Sequence, residues 1–291
     1  MVKLLAELTA RLAHLSETPD LDGQVLLAHI SGKPRSWVLA HPDENLSTNQ
    51  ECELKETLRQ LETGVPLPYV LGKWEFYGLE FDVTPDVLIP RPETELLVEQ
   101  ALSWSRERGA RRGEMEAWRA LDVGTGCGCI AILLALHAPK IGVIATDISS
   151  NALVVARRNA EKHHVSGRIA FVEADLYPHS LPANLFSLII ANLPYIPTAV
   201  LHDLPVYGRE PSIALDGGVD GLDIIRRLLD AAPRHLAQGG LLLLEIEASQ
   251  GGKVLSLARE AFPEAELCLL QDLSGCDRLV RIIRPGIQDK G

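Results

Sequence analysis

Positive charge is scarce in this chain: 28 Lys and Arg stand against 39 Asp and Glu, a formal net charge of −11. Nucleic-acid affinity comes largely from Lys and Arg displacing counterions, so the shortage argues against a surface that attracts phosphate backbones as a whole. Only a local basic patch overrides that argument, and neither end of the chain reads as a basic arm. Cysteine is also sparse. Cys52, Cys127, Cys129, Cys268 and Cys276 are odd in number, with no CxxC pair and no Cys/His ligand spacing. That is the usage of reduced thiols in a cytosolic protein, and it points to no metal. No apolar run approaches the roughly 20 residues of a membrane span. The first residues carry Glu7 and Arg11 inside their apolar stretch, with no small-residue cleavage site, unlike a signal peptide. Internal repeats and low-complexity segments are lacking. A soluble, intracellular protein is expected. What is present is an apolar fraction of 46% over 291 residues, too much for a disordered chain and enough for one large core or two smaller ones.

Leu4, Leu5, Leu8, Leu12 and Leu15 recur at helical spacing. Val25, Leu26, His29 and Ile30 continue the period after Asp20, an expected N-cap, and Leu54, Leu58 and Leu61 run to Gly64, an expected left-handed cap. Residues 1–64 therefore read as a small helical bundle. From 65 to 90 the pattern changes. Val65 to Val70 precedes Trp74, Phe76, Tyr77, Gly78, Leu79, Phe81 and Val83, which predicts a linking β-hairpin that turns near Gly78. Pro90 and Pro92 introduce an amphipathic helix from Glu93 to Arg106. From Arg119 onward, strands at 120–123, 142–147, 169–173, 187–191 and 241–245 alternate with helices at 127–137, 149–162, 221–237 and 249–260. Strands at 265–270 and 279–283 follow. This predicts an α/β domain over 91–291 with a mostly parallel sheet covered on both faces and an antiparallel pair at one edge.

The strongest local signal is Leu121-Asp122-Val123-Gly124-Thr125-Gly126-Cys127-Gly128-Cys129-Ile130. An apolar strand enters three glycines at alternate positions and leaves as a helix. Glycines let the backbone turn tightly and approach a ligand, while the helix offers its first N–H groups. A dinucleotide fingerprint G-x-G-x-x-G needs its third glycine at 129, which is Cys129. The spacing G-x-G-x-G is that of class I methyltransferases, whose ligand has no pyrophosphate. Asp147 ends the next strand, where a carboxylate accepts from both ribose hydroxyls of an adenosine; a nicotinamide cofactor uses such an acid too. Asp175, after the strand at 169–173, is placed to flank the adenine and accept from its exocyclic amine.

After Leu188-Ile189-Ile190-Ala191 comes Asn192-Leu193-Pro194-Tyr195-Ile196, at the carboxyl end of a strand, where open α/β sheets bind ligands. An amide or aromatic amine nitrogen is a poor nucleophile because its lone pair is delocalised. Acceptors for its two hydrogens, the Asn192 side-chain oxygen and a backbone carbonyl, favour a pyramidal nitrogen and stabilise charge as it develops. Tyr195 is expected to stack on the flat target. The segment resembles the N-P-P-Y motif of methyltransferases that modify planar nitrogen, with Leu193 replacing the first proline and its carbonyl retained.

The motif alone leaves adenine and glutamine open. Tyr69, Gly72, Glu75-Phe76 and Gly78, Leu88 to Glu95, Glu210 to Leu222, Leu244-Glu245-Ile246 with Gln250, and Asp272 to Arg278 are similar to signature segments of the HemK/PrmC family. The match runs over about 65–284, and the N-terminal helices fit that family's variable helical domain. The resemblance implies a class I, Rossmann-like fold with a seven-stranded sheet. It also implies an S-adenosyl-L-methionine-dependent enzyme, yielding S-adenosyl-L-homocysteine, that methylates the glutamine side-chain nitrogen in the Gly-Gly-Gln motif of class I peptide chain release factors. By carry-over, Gly124, Thr125, Gly126, Cys127, Gly128, Asp147, Asp175, Leu176 and Asn192 hold the cofactor. Asn192, Leu193, Pro194 and Tyr195 hold the glutamine. A monomer in the cytoplasm, with no nucleic acid or membrane as partner, is expected. The competing readings are an N6-adenine methyltransferase acting on DNA or RNA and a cofactor-binding scaffold without turnover.

Other residues carry weaker signals. Arg91, between two prolines, fits either the mouth of a site or an ion pair with an acid such as Glu95. Glu245 at a strand end either neighbours the site or satisfies a backbone N–H. His163-His164 reads as solvated. Trp74, Phe76 and Tyr77 read as hairpin core or as a wall for a peptide.

Overall fold

The computed structural model describes residues 1–112, 118–179 and 182–286, in two compact units, Met1–Lys73 and Trp74–Gly291. Among the described residues, no helix is long and apolar enough to cross a membrane.

The first unit holds α1 (Val2–Leu12), α2 (Pro19–Ser31), α3 (Arg35–Ala40), α4 (Thr48–Glu62) and α5 (Leu67–Leu71). Leu8 and Leu12 of α1 join Leu26, Leu27 and Ile30 of α2 and Leu54, Leu58 and Leu61 of α4 in one aliphatic core. Leu15, beyond the end of α1, is exposed. The N-cap of α2 is Thr18 rather than Asp20, because Pro19, with its fixed φ, opens the helix; Asp20 lies in the first turn and suits the dipole there. Gly64 has φ 92 and caps α4 as expected, with Gly64 N donating to Leu61 O at 2.9 Å and Val65 N to Gln60 O at 3.2 Å. The stretch that follows is helical. Pro68 sits in the first turn of α5 and Gly72, at φ 70, closes it.

The second unit opens with the hairpin of β1 (Lys73–Phe76) and β2 (Leu79–Asp82). Its two-residue turn is Tyr77-Gly78, both with positive φ, the conformation that matches strand twist. Phe76 and Phe81 are buried and meet edge-on, so Phe76 serves a core, while Trp74 and Tyr77 are half-buried. His163 is not simply solvated: its ring packs on Phe81 and its Nε2 lies 2.9 Å from Glu80 O. After α6 (Thr94–Arg112) come β3 (Trp118–Val123), α7 (Cys129–His137), β4 (Ile141–Asp147), α8 (Ser150–Lys162), β5 (Ile169–Glu173) and β6 (Phe186–Ala191). The chain ends with α9 (Thr198–Leu201), α10 (Asp223–His235), β7 (Leu236–Glu245), α11 (Gly251–Ala261), β8 (Glu266–Gln271) and β9 (Asp277–Ile283). The seven-stranded sheet has the order β5-β4-β3-β6-β7-β9-β8. Strands β3 to β7 pair in parallel, and β9 runs antiparallel to both β7 and β8. The chain leaves β3 first toward β4 and β5 and later toward β6 and β7. The carboxyl ends of β3 and β6 therefore flank a topological switch point, where such sheets open a crevice.

Asn159 of α8 ties the hairpin to that crevice. Its side chain is fully buried. Oδ1 accepts from Asp82 N at 2.7 Å, and Nδ2 donates to Asp82 O and to Cys127 O, each at 2.9 Å. Asn159→Ala leaves three backbone groups without these partners, so a loss of about 3 kcal/mol is expected. The check is a lower urea midpoint at unchanged slope.

Candidate active site

At the carboxyl ends of β3 to β6 lies a cavity of about 540 Å³. One wall is the glycine loop. Gly124 N and Thr125 N both donate to Thr146 O of β4, at 2.9 and 2.8 Å. Gly126 N donates to Asp147 Oδ2 at 2.9 Å. Gly124 and Gly126 adopt positive φ, and a Cβ built on Gly126 meets no atom within 4 Å, because that backbone faces the open cavity. The loop is anchored below by Asp122, whose Oδ2 accepts from Thr125 Oγ1 at 2.6 Å and Ala131 N at 3.1 Å. Burial raises the Asp122 pKa to about 7 against those hydrogen bonds. Gly128 is not on the wall: a Cβ there would lie 3.1 Å from Ala156 Cβ. Its lack of a side chain lets the start of α7 approach α8.

The acids expected at the cavity are there. Asp147 accepts from Ser149 N with Oδ1 at 2.9 Å, as it does from Gly126 with Oδ2, so the carboxylate is fixed at the rim. Burial pushes its pKa up while the N–H groups of Ser149, Gly126 and Ile148 hold it down. Asp175 follows the neighbouring strand β5, lines the cavity as well, and accepts from Arg227 at 2.5 Å. Leu176 stands in the left-handed region, φ 67, held by Thr146 Oγ1 donating to its carbonyl at 2.8 Å. Arg91 pairs with Glu210, not Glu95; the latter accepts from Tyr77 N. Among the described residues, the Lys and Arg side chains that line the cavity are Arg91 and Arg227, and each is engaged by a carboxylate. Such a donor set suits an uncharged or cationic adenosine ligand better than a pyrophosphate. Cys127 and Cys129 are both buried. A hydrogen bond to Cys127 and burial push the Cys129 thiol up.

Asn192, Leu193 and Pro194 form the wall beside the glycine loop. Asn192 Nδ2 donates to Thr94 Oγ1 at 3.0 Å. Leu193 is 4% exposed and packs over Gly124, where an added Cβ would lie 3.2 Å from Leu193 Cδ2. Aliphatic packing thus steadies the loop where a proline ring is replaced. Tyr195 does not line the cavity. Its ring packs against the core of the sheet and its hydroxyl lies 3.5 Å from Glu245 Oε1, so the expected stacking on the target is not what this geometry provides.

The family model described as PrmC N-terminal domain matches residues 3–72, and the one described as Methyltransferase small domain matches residues 111–202. The release factor glutamine methyltransferase of Moorella thermoacetica is 41% identical over 90% of this chain and 90% of its own length. The chain belongs to the release factor glutamine methyltransferase family. The Coxiella burnetii member is 36% identical over 94% of this chain and 95% of its own. Among solved structures, the hMettl16 catalytic domain in complex with MAT2A 3′UTR hairpin 6 aligns with a TM-score of 0.55 at 14% identity, covering 84% of each chain; at that identity the likeness concerns the fold alone.

Within this methyltransferase, several residues that shape the site show no role in their local pattern, although Thr94 and Glu245 lie in segments that resemble the family. Thr94, Arg227 and Glu245 come from elements distant in sequence from Asn192. Asp122 did carry a local signature, an acid inside an apolar strand directly before the glycines. Gln250 clamps the Asn-Leu-Pro-Tyr loop by donating to Tyr195 O at 2.8 Å.

Proposed function

We propose that this enzyme transfers a methyl group from S-adenosyl-L-methionine to the side-chain nitrogen of the glutamine in the Gly-Gly-Gln motif of class I peptide chain release factors. The observation that carries the reading is that the glycine loop and Asn192, side by side at the ends of β3 and β6, line one cavity in a chain of this family. The methyl donor supplies, when bound, an electrophilic methyl on a sulfonium. The chain's own residues do the rest. Asp147 accepts from the ribose, Asp175 and Leu176 border the base, and the backbone of Gly124 to Cys127 admits the ligand at close range. Asn192 Oδ1 and the carbonyl of Leu193 accept the two hydrogens of the glutamine amide, turn its lone pair toward the methyl, and stabilise the positive charge that develops there. Gly128 acts through helix packing and Tyr195 through its hold on the loop.

Residues 1–64 serve recognition of the protein substrate, the hairpin links them to the catalytic domain, and the enzyme works as a cytoplasmic monomer without binding nucleic acid. A release factor enters ribosomal RNA and presents basic character, so the net charge of −11 favours encounter; association that does not slow as salt rises counts against this. The deciding experiment is mass spectrometry of a purified release factor after incubation with the enzyme and S-adenosyl-L-methionine, with one added methyl expected on the glutamine of the tripeptide. Methylated adenine in RNA or DNA, with an unmodified release factor, overturns the reading. Asp147→Ala removes a charged acceptor and is expected to weaken cofactor binding by about 10- to 100-fold, read by calorimetry.

A further inference from the structure

Behind the Asn192 wall lies a buried carboxylate with no part in the transfer just described. Glu245 closes β7, is 1% exposed, and its Oε2 has no hydrogen-bond partner among the described residues. Its Oε1 lies 3.5 Å from the Tyr195 hydroxyl. Burial raises its pKa to about 7; the hydroxyls of Thr94 and Tyr195 and the charge of Arg278 on β9 favour the ionised form, and Glu93 opposes it. Arg91 adds a further positive charge near Tyr195. Thr94, 3% exposed at the start of α6, is a neighbour of this carboxylate and touches the wall as well, its Oγ1 accepting from Asn192 Nδ2 at 3.0 Å. A threonine hydroxyl has one proton to give. With an ionised carboxylate as its neighbour, the hydroxyl directs that hydrogen toward Glu245 as a donated hydrogen bond. The Thr94 oxygen then only accepts from Asn192, and Oδ1 of Asn192 is left for the cavity.

We propose that Glu245 is a positioning residue which, by accepting the hydrogen bond of the Thr94 hydroxyl, holds the Asn192 amide with Oδ1 toward the acceptor nitrogen. The proposal rests on the reaction given above, in which Asn192 must accept from that nitrogen. A protonated carboxyl or a glutamine at 245 has a proton of its own for Thr94. The threonine then donates to Asn192, the amide turns over, and an NH2 group faces the NH2 group of the substrate. Binding of the cofactor is little changed by that rotation, while the acceptor needed in the transition state is lost.

The test uses the full chain as wild type, Thr94→Val, Thr94→Ser and Glu245→Gln. It measures kcat and KM for methyl transfer to a release factor from about pH 6 to pH 9, and records the side-chain ¹⁵N–¹H signals of Asn192 in the complex with S-adenosyl-L-homocysteine. Thr94→Val is expected to lower kcat at least about tenfold with the KM for the methyl donor within about twofold, and Thr94→Ser to recover most of the rate. In the wild type kcat rises through about pH 7 as Glu245 ionises; in Glu245→Gln it is low and flat. The Asn192 amide signals shift in Thr94→Val and in Glu245→Gln. A Thr94→Val enzyme at the wild-type kcat, a pH rise that survives Glu245→Gln, or unmoved Asn192 signals overturns the proposal. If the wild type methylates no release factor, the proposed reaction fails, and the amide signals still decide whether Glu245 sets Asn192.

Discussion

Asn192→Ala is expected to lower kcat for methyl transfer by about a thousandfold while cofactor affinity changes by no more than about fivefold. The two effects separate because the amide does different work in the two states. Toward the bound cofactor it offers at most one neutral hydrogen bond, worth about 1 kcal/mol. Toward the acceptor nitrogen it supplies an oxygen whose value grows as positive charge develops, in a site walled off by the glycine loop and by Leu193, where such interactions are stronger than in water. The alanine variant also leaves Thr94 Oγ1 without its donor. Folding is expected to be little affected, since Asn192 is only half-buried at the edge of the cavity. Single-turnover rates with a release factor, set beside calorimetric titration of the cofactor, make the comparison. A variant that keeps its rate within tenfold removes Asn192 from the chemistry, and a variant that loses cofactor binding in proportion to its rate makes Asn192 a cofactor residue only.

The contrast between Asn192 and its supports marks where sequence reading stops. The glycine loop, Asp147 and Asn192 lie directly after apolar strands, and their chemistry is carried by local backbone shape, so a few adjacent residues sufficed to place them. Thr94 and Glu245 meet the same loop from 98 and 50 residues away in the chain. Their segments, Leu88 to Glu95 and Leu244 to Ile246, stand out only through the family resemblance; by local pattern they are an ordinary helix start and strand end, and only the closing of the sheet brings them together. Gly128 teaches the reverse: in the string it is equivalent to Gly124 and Gly126, yet its missing side chain admits Ala156 and not the ligand. The alternation of strands and helices was legible because each strand is a short apolar run. The stretch 192–222 was not, since its order comes from long-range pairs such as Ile196 with Asp216. The start of β7 at Leu236 was also concealed, because Gly239-Gly240 reads as a turn but lies within the strand, beside an irregular register with β6.

That hidden stretch carries the second large effect. Gly221→Ala is expected to cost about 2–4 kcal/mol of stability and to lower kcat about a hundredfold beyond any loss of folded protein. Gly221 has φ 78, and a Cβ there would lie 2.2 Å from Tyr195 O, 2.7 Å from Gln250 Nε2 and 3.1 Å from Pro197 Cδ. A left-handed alanine alone costs about 1–2 kcal/mol. The remainder comes from the Gln250 to Tyr195 bond of 2.8 Å, which must open to admit the methyl. Because Tyr195 follows Asn192 by three residues, the displacement reaches the acceptor oxygen, and a shift of about an ångström in a reacting geometry costs far more rate than stability. Gly275→Ala separates strain from displacement. Gly275 has the same left-handed backbone, φ 77, in the exposed turn between β8 and β9, with no atom within 4 Å of an added Cβ. It is expected to lose about 1 kcal/mol and no activity. Equal losses of rate in the two variants would show that backbone strain alone, and not the clamp on the Asn-Leu-Pro-Tyr loop, sets the rate. A larger melting shift in Gly221→Ala, with activity lost in that variant alone, places the control of Asn192 in the contact between Gly221, Gln250 and Tyr195.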